Sequence, residues 1–237
     1  MDIFSNFEST FNNLHLTTGM KYLKFRNSEE KVPIGKMVCV GRNYAAHAKE
    51  LGNDVPEFPI IFLKPASTVI FSGESVVHPS YSNDLQHEVE LVLYIGEDVK
   101  NADNAAAEKA IHGYTIGLDM TLRDLQNEYR KKGDPWTLAK CFDTAAVLTD
   151  VVLKKNYRLR GDEKISLSVN GKEKQNSSIK NMLFSPAEIV KFISARLTLE
   201  KGDLIFTGTP EGVGRVVPGD KIDASLENIG TIKTQIK

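Results

Sequence analysis

The chain has 237 residues, with 30 Lys and Arg against 31 Asp and Glu, and 41% of its residues are hydrophobic. A net charge of -1 argues against nucleic acid or an anionic membrane as the main partner, because both require a clustered basic surface. No apolar run reaches the roughly 18 residues needed to cross a bilayer. The two cysteines, Cys39 and Cys141, are too few for a disulfide framework and fit a reducing compartment, so we expect a cytoplasmic protein.

The first 19 residues differ in character from the rest of the chain. They include Asp2 and Glu8 but no Lys or Arg, a composition that matches neither a secretory signal nor a mitochondrial transit peptide. We therefore expect residues 1–19 to be a leader or N-terminal extension. The remaining 20–237 have the length of a single domain.

Short apolar strands and a few helices are predicted along this domain. In chain order the predicted elements are strand Lys36–Val40, helix Asn43–Leu51, strands Ile60–Leu63 and His87–Ile95, helix Ala102–Ile111, strand Tyr114–Leu118, helix Leu122–Lys132 with Thr121 as its cap and Gly133 after its end, strand Lys164–Val169 entering an Asn170-Gly171 hairpin turn, and a helix from the Ser185-Pro186-Ala187-Glu188 start to about Arg196. Strands outnumber helices and do not alternate regularly with them. The sequence therefore predicts an α+β fold with a β-dominated core.

Two glutamates lie close together at the start of the third predicted strand. Because a strand has a period of two, Glu88 and Glu90 point to one face, while Val89, Leu91 and Leu93 cover the other. Two neighbouring carboxylates repel each other unless a positive charge lies between them. A hard divalent cation would supply that charge, although a solvated strand end would explain the same spacing.

A third carboxylate follows the strand Tyr114–Leu118. Asp119 lies where this strand leads into the predicted helix, which is a suitable position for a ligand or for a turn residue. On the helix, Arg123 and Gln126 are three residues apart and share a face. They can hold an anionic substrate or can be an exposed polar pair.

A possible base and a possible electrophile complete the candidate residues. His47 and Glu50 are neighbours on the surface of a predicted helix, and a glutamate bonded to one imidazole nitrogen leaves the other as a base. Lys140 ends the mostly apolar stretch 135–140, where a cation can stabilise a developing oxyanion. Alternatively, His47 and Glu50 are ordinary surface residues without a catalytic role, and the Lys140 side chain extends out to solvent.

The glycine-rich segment 207–214 superficially resembles a phosphate loop. It lacks the Gly-Lys-Ser/Thr ending, and no clear helix follows it, so nucleotide binding of that type is not expected. We expect instead a loop whose backbone can approach a small ligand.

Together these segments resemble the fumarylacetoacetate hydrolase family over residues 36–237. The blocks that carry the resemblance are Val40-Gly41-Arg42-Asn43-Tyr44, His47-x-x-Glu50, Phe62-Leu63-Lys64-Pro65, His87-Glu88-Val89-Glu90, Gly117-Leu118-Asp119-Met120-Thr121-x-Arg123-Asp124-x-Gln126, Trp136-Thr137-Leu138-Ala139-Lys140 and Thr207-Gly208-Thr209-Pro210-x-Gly212-Val213-Gly214. The chain is similar to the compact, single-domain members that act as acylpyruvate hydrolases and oxaloacetate decarboxylases.

The resemblance implies a fold, an assembly and a site. It implies a rolled, mixed β-structure with flanking helices, forming one catalytic domain over 20–237 that assembles as a homodimer. It implies Mg²⁺, with Mn²⁺ or Ca²⁺ as alternatives. The implied residues are the metal ligands Glu88, Glu90 and Asp119, the catalytic residues His47, Glu50 and Lys140, and the substrate-binding residues Arg123, Gln126 and Thr209.

The implied reaction is metal-dependent cleavage of a carbon–carbon bond in a 2-oxo acid. An acylpyruvate, that is a 2,4-dioxo acid, fumarylpyruvate-like substrates included, would give pyruvate and a carboxylic acid, and oxaloacetate would lose carbon dioxide at the same site. Isomerase or tautomerase activity, and a non-catalytic dicarboxylate binder, are the alternatives. Ring-fission relatives often have Asn-Asp-Val where this chain has Leu118-Asp119-Met120, and Pro-Leu-Gly-Pro where it has Thr144–Leu148. Both departures favour the acylpyruvase type.

Overall fold

The computed structural model describes residues 19–50, 52 and 54–237. Its strands and helices are, in chain order, β1 (Tyr22–Phe25), β2 (Ser28–Pro33), β3 (Met37–Gly41), α1 (Ala45–Glu50), β4 (Ile60–Lys64), β5 (Val69–Phe71), β6 (Ser75–Val76), β7 (Leu85–His87), β8 (Val89–Ile95), α2 (Asn104–Ala110), β9 (Ile111–Asp119), β10 (Thr121–Leu122), α3 (Arg123–Lys132), α4 (Thr137–Lys140), β11 (Ala146–Leu148), β12 (Val152–Leu153), β13 (Lys164–Val169), β14 (Lys172–Ser178), α5 (Pro186–Ser194), β15 (Leu204–Phe206), β16 (Gly214–Arg215), β17 (Lys221–Leu226) and β18 (Gly230–Ile236). The predicted leader lies outside the described residues except for Gly19.

A mixed, curled sheet forms the centre of the molecule. Its strand order is β4-β3-β15-β8-β9-β11-β5, with β12 also paired to β9. The pairs β15–β3 and β11–β5 are parallel, and β8–β9 is antiparallel. Both faces are covered: Leu91 and Leu93 of β8 pack in one core cluster, and Val92 and Tyr94 pack in the other. The predicted β-dominated, rolled mixed fold is confirmed.

Smaller sheets pack around the central one. A sheet of order β14-β13-β17-β18-β6 contributes residues such as Ile165 and Ile232 to the larger core cluster, and a small sheet of order β10-β7-β16 lies beside the site. The predicted hairpin turn is confirmed, because Asn170 and Gly171 have φ values of 53° and 76° between β13 and β14, as a tight two-residue turn requires.

The sequence predicted the start of α5 correctly. For α3 it predicted the end correctly and the cap wrongly. Ser185 and Glu188 form the predicted capping box of α5, and Gly133 adopts the left-handed conformation after α3. Thr121 does not cap α3. It belongs to β10, paired with Gln86, and the helix begins at Arg123.

The predicted strand His87–Ile95 is two strands in two different sheets. Residues up to His87 pair with β10 and β16, and residues from Val89 onward pair with β9 and β15. Glu88 lies at the junction between them. Within the ranges described, no helix has both the length and the apolar composition to cross a membrane.

Candidate active site

Three buried carboxylates meet at the junction between β7 and β8. Glu88, Glu90 and Asp119 each offer an oxygen atom within 4.8 Å of the others, and they are 5%, 2% and 1% exposed. The pairing of β8 with β9 explains why these carboxylates lie together. Val89 pairs with Leu118 in the neighbouring strand β9, and the next residue of that strand, Asp119, donates its backbone N–H to the carbonyl of Glu88 at 2.8 Å.

Three cations surround two of these carboxylates. Lys140 Nζ lies 2.7 Å from Glu88 Oε2, 2.7 Å from Asp119 Oδ2 and 2.6 Å from the Thr121 hydroxyl. The Arg123 guanidinium contacts Glu88 Oε1. Burial disfavours the charged form of Glu88, but Lys140 and Arg123 outweigh burial and hold the pKa of Glu88 well below its usual range.

Lys64 forms a second contact to Asp119 from the opposite side. Its ammonium is fully buried and lies 2.8 Å from Asp119 Oδ1. It also donates to the carbonyls of Ala145 and Met120, at 3.0 Å and 3.3 Å, and to that of Lys140. The protons of the Lys64 ammonium point toward these three carbonyl oxygens. Its contact with Asp119 Oδ1 is therefore an ion pair without an aligned hydrogen bond, and Asp119 Oδ1 accepts no other hydrogen bond from the described residues.

Glu90 lacks a direct cationic partner among the described residues. Its Oε2 accepts the backbone N–H of Gly208 at 2.7 Å. Burial and repulsion from Asp119 and Glu88 raise the pKa of Glu90 well above its usual value. The site would therefore gain from further positive charge. An all-oxygen donor set, an oxygen of Asp119 without a hydrogen bond and an uncompensated Glu90 all fit a hard divalent cation.

His47 and Glu50 form the predicted dyad on α1. Their side chains meet at 3.1 Å between Nδ1 and Oε2, and Glu50 Oε1 accepts the backbone N–H of Gly212 at 3.0 Å. Assigning the Nδ1 proton to the bond with Glu50 leaves Nε2 as the acceptor. Burial lowers the pKa of His47, more than Glu88 and Glu50 raise it, so its neutral, basic form dominates near neutral pH.

Eight of the nine predicted site residues line one cleft. They are His47, Glu88, Glu90, Asp119, Arg123, Gln126, Lys140 and Thr209. The ninth, Glu50, is bonded to the imidazole of His47. Phe62 and Trp136 form an apolar wall, with ring centroids 5.8 Å apart at 62°. The predicted residues thus come together in three dimensions.

Two of the predicted substrate-binding residues are engaged by other protein groups. Arg123 donates to Glu88, to Gln126 and, at 3.0 Å, to Gln86, so in this state it braces Glu88. The Thr209 hydroxyl donates to the carbonyl of Val89 at 2.8 Å. Both remain at the cleft surface, where a substrate can contact them.

The glycine-rich segment 207–214 binds carboxylates of the site. Gly208 and Gly212 have φ values of 94° and 92°, and their amides hold Glu90 and Glu50. A Cβ on Gly208 would lie 2.7 Å from Cβ of Asn43, and one on Gly212 would lie 2.0 Å from a backbone oxygen. Close backbone approach is confirmed, but here the amides approach protein carboxylates.

Gln175 is a site residue that sequence reasoning missed. Its fully buried amide donates to Thr209 and to the carbonyl of Pro210, both at 2.8 Å, and its oxygen contacts His87 Nδ1 at 3.0 Å and accepts the N–H of Val89 at 3.2 Å. It ties the glycine-rich loop to the residues that flank Glu88. It occurs in a polar stretch of β14, and no local pattern marks it as buried.

Comparison with known proteins identifies the family and several relatives of this chain. Residues 36–237 match the family described as fumarylacetoacetate (FAA) hydrolase C-terminal. The chain is 43% identical over 202 residues to the mitochondrial oxaloacetate tautomerase FAHD1 of Arabidopsis thaliana, covering 85% of this chain and 91% of that protein. It is 41% identical over 197 residues to the mitochondrial oxaloacetate decarboxylase of Dictyostelium discoideum, covering 83% and 90%.

A solved structure is similar over nearly the whole chain. Fumarylpyruvate hydrolase from Pseudomonas aeruginosa, crystallised in complex with Mn²⁺ and pyruvate, superposes with a TM-score of 0.89 at 37% identity. The superposition covers 92% of this chain and 95% of that one.

Proposed function

The chain belongs to the fumarylacetoacetate hydrolase family, and we propose that it is a metal-dependent hydrolase of acylpyruvates that releases pyruvate and a carboxylic acid. The observation that carries the proposal is the joint position of the buried carboxylates Glu88, Glu90 and Asp119 and the His47–Glu50 dyad around one cleft. The complex of a similar hydrolase with Mn²⁺ and pyruvate supports both the metal and the product.

The carboxylates would hold the metal and the neighbouring cations would neutralise the substrate. A divalent cation held by Glu88, Glu90 and Asp119 would supply Lewis acidity toward the 2-oxo oxygen of the substrate. Lys140, which is 2% exposed, places positive charge beside the position where the enolate oxygen develops. Gln126 and Thr209 orient the substrate from the cleft wall.

His47 acts as the base in the hydrolytic step. Nε2 removes a proton from water as the water oxygen bonds to the distal carbonyl carbon of the acylpyruvate. The bond between that carbon and its neighbour toward pyruvate then breaks, and its electron pair remains on the pyruvate fragment as an enolate. The enolate takes up at carbon the proton held by the His47 imidazolium, and the acyl fragment leaves as a carboxylic acid that loses its proton to solvent. Glu50 stabilises the imidazolium that forms between these steps.

Oxaloacetate chemistry at the same centre is the second candidate function. Relatives above 40% identity are named oxaloacetate tautomerase and oxaloacetate decarboxylase. Loss of carbon dioxide gives the same pyruvate enolate without water attack, and tautomerisation needs only proton transfer beside the 2-oxo group. Isomerisation of an unsaturated dioxo acid, or non-catalytic binding of a dicarboxylate, are the remaining alternatives.

Several finer features belong to the same proposal. We take Mg²⁺ as the ion in the cell, residues 20–237 as one catalytic domain, and a homodimer as the assembly. A location in the cytoplasm stays a prediction from the low cysteine count, although relatives such as the Dictyostelium protein are named mitochondrial.

Pyruvate release from acetylpyruvate tests the proposal. We expect the full chain to release pyruvate and acetate in equal amounts with Mg²⁺ and to stop when chelator is in excess. Undiminished release in chelator would refute the metal dependence. Keto–enol exchange of oxaloacetate without any pyruvate release from acetylpyruvate would favour the tautomerase instead.

A further inference from the structure

Helix α1 carries both residues of the proposed dyad, but it is too short to be held in place by its own hydrogen bonds. It spans Ala45–Glu50, which is six residues, and isolated helices shorter than about 12 residues are marginal in water. Within the helix, His47 and Ala48 are buried, and the other residues are exposed. The position of the imidazole is therefore set by the contacts at the two ends of α1.

Both ends of α1 are hydrogen-bonded to the glycine-rich segment 207–214. At the C-terminal end, Glu50 Oε1 accepts the backbone N–H of Gly212 at 3.0 Å. Just before the N-terminal end, the side-chain Nδ2 of Asn43 donates to the carbonyl of Thr207 at 2.7 Å. The helix that carries the base is thus attached at each end to the segment whose amides bind carboxylates of the site.

The part of this segment that Asn43 contacts is itself fixed to the metal-site strand β8. Thr207 donates from its backbone N–H and from its hydroxyl to the carbonyl of Leu91, at 3.1 Å and 2.9 Å. The next amide, that of Gly208, donates to Glu90 Oε2 at 2.7 Å. These bonds do not involve the Asn43 side chain, so the position of Glu90 is set separately from that of α1.

The Asn43 side chain is also bonded to the chain that leads into α5. Its Oδ1 accepts the N–H of Phe184 at 2.7 Å, its Nδ2 donates to the carbonyl of Phe184 at 3.1 Å, and its backbone carbonyl accepts the N–H of Leu183 at 2.8 Å. Asn43 is fully buried. The orientation of its amide is unambiguous, because Oδ1 faces an N–H and Nδ2 faces two carbonyls. The start of α1 is therefore held from two sides.

We infer that Asn43 is a positioning residue for the proposed base, holding the first turn of α1 so that His47 stays directed at the metal-site carboxylates. His47 follows Asn43 by four residues, which is about one helical turn, so a tilt of that turn displaces the imidazole. The inference rests on the proposed function for the role of His47. A misplacement of about 1 Å can lower a rate by about 10²-fold, and this loss applies to hydrolysis because decarboxylation does not use the base.

A nearly isosteric substitution tests the inference. Asn43→Asp keeps the acceptor for the N–H of Phe184 but places an oxygen against the carbonyls of Thr207 and Phe184. Hydrogen–deuterium exchange, measured by mass spectrometry on the metal-free full chain, reports on α1 directly. We expect amides within residues 43–50 to exchange about 10- to 100-fold faster, because buried hydrogen bonds are lost, and amides of β8 to change by less than about threefold.

The two reactions provide the second measurement. In Asn43→Asp, acetylpyruvate hydrolysis should fall by about 10- to 100-fold and oxaloacetate decarboxylation by less than about tenfold. Asn43→Ser leaves room for a water in place of the amide, so it should show the same changes at smaller size, and it replaces the aspartate variant if that variant does not fold.

The matched control is Ser194→Ala in α5. The Ser194 hydroxyl is also buried, accepts the N–H of Ala102 at 3.0 Å and donates to the carbonyl of Lys191 at 3.1 Å, but Ser194 does not line the cleft. We expect Ser194→Ala to speed exchange around α5 alone and to leave the ratio of the two reactions unchanged.

A merely structural role for Asn43 would speed exchange in β8 and α5 as well and would lower both reactions together. That outcome, or unchanged exchange within residues 43–50 in both Asn43 variants, would overturn the inference. Absence of pyruvate release from the wild-type protein would refute the hydrolase alone, because the exchange measurement does not depend on turnover.

Discussion

Replacing the proposed base should separate the two reactions of the site. Hydrolysis of an acylpyruvate requires an activated water, and decarboxylation of oxaloacetate does not. His47→Gln removes the basic nitrogen that lines the cleft but keeps a polar side chain of similar reach. We expect kcat for acetylpyruvate hydrolysis to fall by about 10²- to 10⁴-fold, the usual contribution of a positioned base, which is about 3–5 kcal/mol of transition-state stabilisation. Oxaloacetate decarboxylation should fall by less than about tenfold, because only orientation in the cleft is disturbed.

A substitution of Glu50, which is hydrogen-bonded to His47, should reduce hydrolysis less than the substitution of His47 itself. Glu50 accepts bonds from both His47 and Gly212, at 3.1 Å and 3.0 Å. Glu50→Gln keeps an acceptor but removes the negative charge that stabilises the imidazolium, so hydrolysis should fall by about 10- to 100-fold. Pyruvate release from both substrates, measured with Mg²⁺ at saturation, checks both variants. Equal losses for the two substrates in His47→Gln would refute the water-activation role.

Three further predictions concern pH and stability. Because burial lowers the pKa of His47, the base form persists as pH falls, and the acid limb of hydrolysis should lie below the ordinary histidine value of about 6.5. Since Glu50 raises that pKa, Glu50→Gln should move the limb to still lower pH, and a limb above that value would contradict the assignment. Gln175→Leu leaves several buried groups without partners and should lower the free energy of unfolding by roughly 3 kcal/mol in urea titrations. The control is the exposed Gln235→Leu, expected to change stability by less than about 0.5 kcal/mol. Lys64→Met removes a buried cation from Asp119 and should cost about 3–5 kcal/mol in the same titrations, and a change below about 1 kcal/mol would show that its contacts are not stabilising.

Local sequence signals were sufficient where the structure depends on neighbours in the chain. The capping box at Ser185 and Glu188 and the Asn170-Gly171 turn are set by backbone geometry within a few residues, and both are present. Strand period predicted that Glu88 and Glu90 lie together, and they do, although Glu88 lies at the junction between β7 and β8. The register with β9 brings Asp119 to the same point.

Long-range pairing determined the features that local signals did not reveal. Thr121 has a capping side chain, but pairing with Gln86 holds it in a strand, and its hydroxyl is used by Lys140. The strand break at Glu88 arises because its two halves pair with different sheets. Gln175 is buried by contacts with residues at least 34 positions away, which no window along the sequence contains.

The same difference between local and long-range signals applies to the charged residues of the site. Lys64 belongs to a block that the family resemblance marked, but its position depends on groups distant in the chain. Lys64 is 56 residues from the carbonyl of Met120 that it contacts, and 81 from that of Ala145. Spacing along the chain therefore marked the carboxylates and the dyad as candidates, the family resemblance implied their roles, and only the folded structure revealed the groups that position them.

Titration of Mn²⁺ into chelator-stripped protein, with bound ion and pyruvate release from acetylpyruvate followed together, tests whether hydrolysis depends on a metal ion held by the buried carboxylates. We expect activity to rise in proportion to bound Mn²⁺ and to saturate at one ion per chain. Glu90→Gln, which removes one carboxylate from the buried set, should lose both binding and activity. Full activity before any ion is bound, or unchanged Mn²⁺ binding in Glu90→Gln, would show that this site is not the metal centre of the reaction.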